Sequence, residues 1–371
     1  MSKSSILFLL HYPPPVHGAA MVGQYIRESR PVNTSFTCKY INLGTSNTVD
    51  EIGKGGLKKW WRFISIVAKT LVALLFFRPQ LVYITLNSHG GGFYKDAMIA
   101  LLVKIFGKKI VYHFHNKGVA RNQDKWVDNF LYRIVFKNAY VILLSKYLYP
   151  DIEKYVPENR VFYCANGIPS VAQDVEVKAK NVQPGELLFL SNLIESKGLY
   201  ILLEALSVIY KKGIPFHCTI VGGEGDVTAQ QLQQKIQYFQ LADTVSYAGK
   251  KYGKEKAEQF DRAAIFVFPT YYFNETFGLV LIEAMQMGLP VISTFEGGIP
   301  DVVADGVTGY LVPQKDVHAL VEKIEYLILN PELQSKMGAS GKKRYEERFT
   351  LEQFEKRFTN ILSELVQSER N

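Results

Sequence analysis

The sequence predicts an α/β protein built from two doubly wound domains, and three observations carry this prediction. The chain has 371 residues, more than one hydrophobic core normally serves. Short apolar runs alternate along it with longer segments of helical period, as in parallel sheets that are covered by helices on both faces. A polar stretch, Ser170 to Glu186, interrupts the alternation near the middle of the chain, after which it starts again. Each half is therefore expected to fold around its own sheet.

In the first half, six apolar runs are typical of strands and four segments are typical of helices. The strands are ILFLLHY, TCKYINL, LVYIT, KIVYHFH, YVILLS and VFYCANG. Helices are predicted around residues 22–29, 56–77, 96–106 and 127–136. Strands as apolar as these are buried on both faces, so the sheet should be parallel.

The second half repeats the pattern. Its strand candidates are LLFLSN, FHCTIVGG, TVSYAG, IFVFPT, PVIST and GYLV, with helices between them. The predicted domains are residues 1–180 and 181–350. Residues 351–371 have the spacing of an amphipathic helix, which we expect to cross back to the N-terminal domain.

Composition narrows the classes of partner and compartment. The net charge of +8 and the pI of about 9.1 favour an anionic partner. No basic run interleaved with the aromatic residues of an RNA-binding motif and no zinc-finger spacing is present, so nucleic acid is disfavoured. The three cysteines lie far apart in apolar runs, which favours buried free thiols in a reducing compartment. The opening MSKSSILFLLHYPPP lacks the long apolar region and cleavage site of a signal peptide, so a first buried strand is predicted.

The segment KKWWRFISIVAKTLVALLFFRP, Lys58 to Pro79, has nearly the length of a membrane span, but Arg62 and Lys69 interrupt it. A helix packed on the sheet ahead of LVYIT is the simplest interpretation. A second interpretation is compatible with the first: the basic and aromatic end of the helix lies on an anionic membrane surface. That end consists of Lys58, Lys59, Trp60, Trp61 and Arg62.

The stretch NETFGLVLIEAMQMGLPVIS, residues 274–293, contains two glutamates in an apolar setting. Phe277-Gly278 should open a helix from about Leu279 to Met287, whose first turn offers free amides and a positive dipole end to an anion. Glu275 precedes that turn and Glu283 lies just over one turn inside the helix. A carboxylate repels phosphate, so each glutamate should instead accept hydrogen bonds from sugar hydroxyls. A salt-bridged core glutamate is the alternative for Glu283 alone.

Three other loops follow predicted strands, at the edge where doubly wound sheets bind ligands. In EGGIPD, the amides of Gly297-Gly298 can form an anion nest, and Asp301 can cap a short helix. In SNLIESKG, Lys197 ahead of Gly198 supplies a compact positive charge for phosphate. Gly222 to Gly225 lacks the full dinucleotide fingerprint. A plain Gly-Gly turn is the alternative for EGGIPD alone, and a solvated lysine is the alternative for SNLIESKG alone.

The first half offers two weaker candidates. HYPPPVHGAAMVGQY follows the first strand, and its run from His17 to Ala20 permits a close backbone approach to a ligand. In YHFHNKG, alternation sends His113 and His115 to the same face. We expect His115 to face the cleft, and a histidine whose hydrogen bonds are satisfied within the fold is the alternative. A metal pair is disfavoured because no third ligand and no DxD motif are evident.

These residues resemble the family 4 retaining glycosyltransferases, which have the GT-B fold of two Rossmann-like domains facing across a cleft. The strongest match is ETFGLVLIEAM from Glu275, with GLPVI and GGIPD after it, which is similar to the E-x7-E motif of that family. Lys197-Gly198 resembles its R-x-x-x-x-K-G segment, HGAAMVG its N-terminal glycine-rich loop, and His115 its N-domain histidine. The resemblance covers nearly the whole chain and is more specific in the C-terminal half.

The resemblance implies an acceptor-side N-terminal domain and a nucleotide-sugar-binding C-terminal domain. It implies that Glu283 binds the ribose hydroxyls, that Glu275 contacts the transferred sugar and that His115 lies near it. The implied catalytic residues are Glu275, His115 and Lys197. The implied donor-binding residues are Gly18, Asn192, Lys197, Phe277, Gly278, Leu279 and Glu283, with Lys197, the amides of residues 277–279 and Gly18 at the diphosphate.

One departure from the family pattern concerns charge. Asn192 stands where the family usually has arginine, which removes one of two cations that would stabilise the leaving diphosphate. Either Lys250 or Lys251 compensates, or donor binding is weaker. With no metal motif, the protein itself should stabilise the departing charge, so no cofactor and no metal are expected.

The sequence thus predicts a retaining, metal-independent hexosyltransferase that moves a sugar from a nucleotide diphosphate sugar to a glycan or glycolipid hydroxyl in envelope or polysaccharide synthesis. We expect it in the cytoplasm, peripherally at the inner face of the membrane. A nucleotide-sugar epimerase of the same fold and a non-catalytic sugar-nucleotide sensor remain alternatives, and a dinucleotide oxidoreductase is a third.

Overall fold

The structure is a computed structural model that describes residues 3–14, 18–44, 57–170 and 182–368. The chain divides into two compact units. The first comprises Met1–Gly167 and Leu351–Asn371, and the second comprises Ile168–Thr350. The predicted boundary after residue 180 and most of the polar stretch lie outside the described residues, so that boundary stays a prediction.

The first unit is a six-stranded parallel sheet with helices on both faces, in the strand order β2-β1-β3-β4-β5-β6. Its strands are β1 Ser5–Leu10, β2 Thr37–Asn42, β3 Leu81–Thr85, β4 Lys109–His113, β5 Tyr140–Leu143 and β6 Val161–Tyr163. Its first six helices are α1 Gly18–Glu28, α2 Arg30–Ser35, α3 Leu57–Val72, α4 Gly90–Ile105, α5 Val119–Asn122 and α6 Trp126–Phe136. All six predicted strands of this half are therefore present.

The second unit repeats this architecture in the strand order β12-β11-β10-β7-β8-β9. Its strands are β7 Glu186–Leu190, β8 His217–Val221, β9 Val245–Tyr247, β10 Ile265–Val267, β11 Val291–Thr294 and β12 Gly309–Val312. Its helices are α7 Leu199–Lys211, α8 Ala229–Tyr238, α9 Gly253–Asp261, α10 Leu279–Gln286, α11 Ile299–Val302, α12 Val317–Ile328 and α13 Pro331–Arg348. The prediction of six strands in this half is confirmed as well.

The helix α14, Leu351–Gln367, completes the first unit. Phe354, Phe358 and Leu362 are buried in one cluster with Phe8 and Tyr83 of the sheet. The rings of Tyr83 and Phe358 meet edge to face, with centroids 5.4 Å apart. The amphipathic tail therefore packs its apolar face on the N-terminal sheet.

Several helices of the first unit differ from the prediction: α1 also begins earlier, at Gly18, and α5 was not predicted. The differences at α4 and α2 have a local cause. α4 begins at Gly90, earlier than predicted. Its three glycines occupy the first turn, where the backbone amides need no hydrogen-bond partner inside the helix, so glycine is tolerated there. α2 was not predicted. Ser29 caps it by accepting a hydrogen bond from the amide of Val32 at 3.4 Å, and proline stands at the start of the helix, where its missing amide costs nothing.

α3 continues into a π-helical turn, Ala73–Phe77, and this segment is amphipathic. Lys59–Phe77 is long and apolar enough to cross a membrane by length and composition, although a core helix can pass the same test. Phe63, Ile66 and Thr70 are buried against the unit. One side of the helix is therefore held by the protein.

We expect Phe358→Ala to lower the free energy of unfolding by about 3–5 kcal/mol, because it removes a fully buried ring and leaves a cavity. Lys356→Ala, at an exposed position of the same helix, is the control and should cost much less. Urea denaturation followed by circular dichroism measures both. Equal losses would contradict the packing of α14 on the sheet.

Candidate active site

The candidate residues of the second unit lie in loops at the carboxyl edge of its sheet. Asn192 follows β7, Gly222 follows β8, Lys250 follows β9 and Glu275 follows β10. Because all of these strands are parallel, these loops leave the sheet on the same side. The topology thus brings residues from across the sequence to one edge.

The loop that carries Glu275 is held by backbone contacts on two sides. The amide of Tyr271 donates to the carbonyl of Ser196 at 2.8 Å, and the amide of Gly298 donates to the carbonyl of Thr276 at 2.9 Å. A Cβ added at Gly297 would lie 2.2 Å from the carbonyl oxygen of Glu275. The two glycines of EGGIPD therefore allow the neighbouring loop to approach closely.

Lys197 and Glu275 form an ion pair at this edge. The Lys197 Nζ lies 2.5 Å from Glu275 Oε2, with side chains only 14% and 13% exposed. The ammonium also lies 4.2 Å from the ring centroid of Tyr272. The other carboxylate oxygen of Glu275 accepts a hydrogen bond from the amide of Gly278 at 3.0 Å. The carboxylate therefore joins the lysine to the start of α10.

Glu283, inside α10, is paired with a residue that the sequence analysis did not single out. The Nζ of Lys256, on α9, lies 2.7 Å from Glu283 Oε1 and 2.6 Å from Oε2. Both side chains are about one quarter exposed. Each of the two glutamates of the E-x7-E stretch therefore has its own lysine. The basic run from Lys250 to Lys256 was the only sequence signal for this second pair.

Two predictions of local geometry need correction. Asp301 does not cap α11, because Gly298 occupies the N-cap position and Asp301 lies inside the helix. The amide of Gly298, expected in an anion nest, donates to Thr276 instead. The start of α10 agrees with expectation: Gly278 is the N-cap residue in a left-handed conformation, Phe277 is buried beside Phe349, and Leu279 is the first helical residue.

Asn192 has a lysine beside it. A Cβ added at Gly223 would lie 3.2 Å from Lys250 Cδ and 3.6 Å from Asn192 Oδ1, so both side chains border one position. Lys251 points elsewhere, since its Nζ is 3.8 Å from Glu255 Oε1. Of the two lysines that could compensate for the missing arginine, the geometry favours Lys250.

In the first unit, Gly18 begins α1, whereas the neighbouring His17 lies outside the described residues. His113 ends β4, and its ring centroid is 4.2 Å from that of His115 in the loop that follows. His113 Nδ1 is 2.8 Å from the hydroxyl of Tyr83. Burial, and then the neighbouring His115, lower the pKa of His113 well below its usual value. His113 is thus a buried neutral residue, and His115 is the more accessible of the two.

Sequence reasoning missed a polar cluster beside His115. Asn116 Oδ1 accepts from the amide of Ser88 at 3.0 Å, and its Nδ2 donates to Asn87 Oδ1 at 3.2 Å. Asp96 Oδ2 accepts from the amide and the side chain of Asn87. Burial raises the pKa of Asp96 to about 6. The run LNSHGGG after a buried strand was the signal that could have revealed this cluster.

The other chemically reactive side chains are possible metal ligands and free thiols. Across residues 3–14, 18–44, 57–170 and 182–368, no three His, Cys, Asp or Glu side chains converge as metal ligands would. Metal independence stays a prediction. All three cysteines are free, and burial raises the pKa of the Cys164 thiol to about 12.

Known proteins match the second unit of this chain by a family model, and they match parts of the chain by sequence. The family model of the glycosyl transferases group 1 matches residues 170–344. The capsular polysaccharide biosynthesis glycosyltransferase of Staphylococcus aureus is 29% identical over 47% of this chain and 46% of its own length. The amylovoran biosynthesis glycosyltransferase of Erwinia amylovora is 30% identical over 59% of this chain and 54% of its own length. The chain thus spans about half the length of these curated relatives.

Solved structures match the whole fold. Sucrose-phosphate synthase from Thermosynechococcus elongatus superposes with a TM-score of 0.74 at 20% identity, covering 99% of this chain and 100% of that one. The Anabaena protein HepE, in complex with UDP and glucose, gives 0.69 at 19% identity, covering 96% and 99%. Together with the two six-stranded parallel sheets, these matches establish the α/β GT-B fold. The match to the glycosyl transferases group 1 model falls within the second unit.

We expect Gly198→Ala to destabilise the protein more than Gly213→Ala. Both glycines have a positive φ, +89° and +73°, so each substitution costs about 1–2 kcal/mol of backbone strain. Only at Gly198 would the new Cβ meet an atom, 2.1 Å from the carbonyl oxygen of Pro269. Urea denaturation gives the free energy of unfolding of both variants, and the difference between them is due to the close approach of Pro269 to Gly198. Equal losses of stability would contradict this close approach.

Proposed function

We propose that this protein is a retaining glycosyltransferase that moves a sugar from a nucleotide diphosphate sugar to a glycan or glycolipid hydroxyl. The observation that carries the proposal is the pair of lysine–glutamate contacts around the start of α10. Two cations and two carboxylates beside a helix N-terminus suit a ligand with both phosphates and hydroxyls. The relatives named for capsular polysaccharide and amylovoran synthesis support envelope polysaccharide synthesis as the setting.

We assign the roles by charge. Breaking the bond between the anomeric carbon and the phosphate oxygen leaves an electron pair on the diphosphate and positive charge on the sugar ring. Lys197 and the amides at the start of α10 would stabilise the diphosphate. Glu275 would hold a hydroxyl of the transferred sugar, and Glu283 would accept hydrogen bonds from the ribose. The roles that the resemblance implies for Gly18 and His115, in the first unit, stay predictions.

Retention of configuration requires that the new bond forms on the face from which the diphosphate leaves. The acceptor oxygen attacks that face, and the departing phosphate oxygen takes the acceptor proton. No separate base is then needed, and Glu275 acts by position and charge. Exclusion of water protects the donor from hydrolysis.

The ion pair between Lys197 and Glu275 supports this division of roles. Lys197 is already desolvated and oriented, and Glu275 neutralises it until an anion is present. A bound diphosphate would take over as partner of the lysine. The carboxylate of Glu275 would then be available to the sugar. The contact between the two side chains thus pre-organises both residues for the donor.

The nucleotide base of the donor can be identified by a binding screen. Solved structures of the Anabaena protein HepE contain UDP, UDP with glucose, or UDP-glucose, which makes uridine nucleotides the first donors to test. A thermal-shift screen of UDP-, GDP- and ADP-sugars identifies the donor, because a ligand that binds the native state raises its stability.

We further propose a peripheral position at the cytoplasmic face of the membrane, through Lys59, Trp60, Trp61 and Arg62. The side chain of Lys58 lies outside the described part of the chain.

We expect Glu275→Gln to reduce transfer by on the order of 100- to 1,000-fold, because it removes the charge that faces the sugar and Lys197 but keeps the shape of the side chain. Label transfer from the identified nucleotide sugar into the membrane and polysaccharide fractions of producing cells measures the rate. Glu332→Gln, at an exposed position of α13, is the control. Transfer at the wild-type rate in Glu275→Gln would remove the role that we assign.

We expect Lys250→Met to weaken binding of the donor nucleotide by roughly 10- to 100-fold, the worth of one hydrogen bond from a charged group. Lys251→Met should leave the affinity unchanged, since that side chain pairs with Glu255. Isothermal titration with the nucleoside diphosphate that the screen selects gives both dissociation constants. A larger loss at Lys251, or none at either position, would show that Asn192 is not compensated by Lys250.

A further inference from the structure

Three neighbouring helices of the first unit expose a large apolar surface. α3 packs beside α4, and α4 packs beside α6. Together with the π-helical turn after α3, they carry more than half of the exposed large hydrophobic side chains of the described chain. We call this surface the three-helix face. It comprises Trp60, Trp61, Ile64, Leu71, Val72, Leu75, Phe76, Tyr94, Met98, Ile105, Trp126, Val127 and Phe130. So many exposed apolar side chains on neighbouring helices indicate an interaction site, since scattered single ones are the norm.

The exposed charges on these helices have one sign. Residues 57–78 contain no aspartate or glutamate. The only acids within α4 and α6 are Asp96 and Asp128, and both are buried. Basic side chains lie among the apolar ones: Lys59, Arg62, Lys69, Lys95, Lys104 and Arg133. Directly before α6, the exposed Asp124 and Lys125 contribute no net charge. An apolar surface set with cations is complementary to an anionic lipid bilayer rather than to a second copy of this basic chain.

The face lies on the protein and is not a detached span. Phe63, Ile66 and Leu74 bury the inner side of α3 and its extension. Lys69, on the outer side, is exposed in the middle of the helix. A helix with one packed side and a charged outer side lies in the interface plane, where its lysine reaches the headgroups.

All three tryptophans of the chain belong to this face. Trp60, Trp61 and Trp126 are 63%, 71% and 81% exposed. They lie near the N-terminal ends of α3 and α6, and a helix that follows a strand begins at the strand's carboxyl end. The tryptophans therefore lie toward the sheet edge that also carries Gly18 and His115. Tryptophan favours the boundary between lipid and water.

We propose that the three-helix face docks on an anionic lipid bilayer, with its tryptophans at the level of the headgroups. The contact involves three helices and extends well beyond the basic and aromatic end of α3. Docking along all three helices fixes the orientation of the first unit, with its candidate acceptor edge beside the membrane surface.

Intrinsic fluorescence tests the docking directly, because all tryptophan emission comes from this face. Vesicles of phosphatidylcholine and phosphatidylglycerol should shift the emission of the full chain to shorter wavelength, and lipids brominated on their acyl chains should quench it. Vesicles of phosphatidylcholine alone, or high salt, should weaken both effects. Unchanged emission with anionic vesicles would overturn the proposal.

Two variants separate a three-helix contact from contact by α3 alone. Trp126→Phe leaves emission from α3, and the double variant Trp60→Phe, Trp61→Phe leaves emission from α6. Brominated lipids should quench both. Quenching confined to the first variant would overturn the three-helix contact. If the chain is instead a dimer whose tryptophans are shielded from acrylamide without vesicles, a second copy covers the face and the proposal fails.

A charge reversal tests the electrostatic part. Lys69→Glu should weaken binding to anionic vesicles by roughly tenfold, since each basic residue near the surface contributes and the new carboxylate is repelled. Lys336→Glu, an equally exposed reversal on α13 of the other unit, changes net charge by the same amount and is the control. Equal losses in vesicle flotation would show that net charge, and not the face, governs binding.

Docking in this orientation also selects an acceptor class, a step that rests on the proposed function. A membrane beside the edge that carries His115 favours a lipid-linked acceptor, so label from the donor should enter material extractable with chloroform and methanol. Label found only in water-soluble glycan would overturn this step. No transfer to any acceptor would count against the proposed function, and the fluorescence result would still decide the docking.

Discussion

The ion pair between Lys197 and Glu275 is the interaction on which the candidate site depends. Taking two charges largely out of water is costly, and only close contact with further hydrogen bonds offsets that cost. The site provides both, through the 2.5 Å contact, the ring of Tyr272 beside the ammonium and the amide of Gly278 at the carboxylate. Three separate loops must therefore keep their positions for the pair to exist.

Backbone contacts supply that constraint. The turn at Ser196, the loop from Tyr271 to Thr276 and the turn at Gly297 lie against one another, and the carbonyl oxygens come too close for a side chain at two glycines. Positions fixed by main-chain atoms vary little when a ligand enters. A site built in this way needs little reorganisation, which is what electrostatic stabilisation of a departing diphosphate requires.

The first unit shows a different use of the same α/β architecture. Its helices bury one side on the sheet, as those of the second unit do, but the outer sides of α3, α4 and α6 are apolar and basic. A soluble unit would normally keep such surface small. This departure from the rule is the basis for the proposed docking on a membrane, next to the edge of the sheet where the acceptor is proposed to bind.

The sequence by itself determined the twelve strands, because buried parallel strands are apolar throughout and need no partner information to be recognised. It also marked Glu275, Gly278 and Glu283, since a strand, a Phe-Gly turn and two misplaced acids follow one another within a few residues. Only the tertiary structure decided that Lys256 pairs with Glu283 and that Lys250, not Lys251, lies beside Asn192. Each of these pairs joins residues from different βα units. The adjacent residues Lys250 and Lys251 point in different directions because the backbone turns between them. Their partners depend on how the loops pack at the sheet edge, which sequence spacing does not encode.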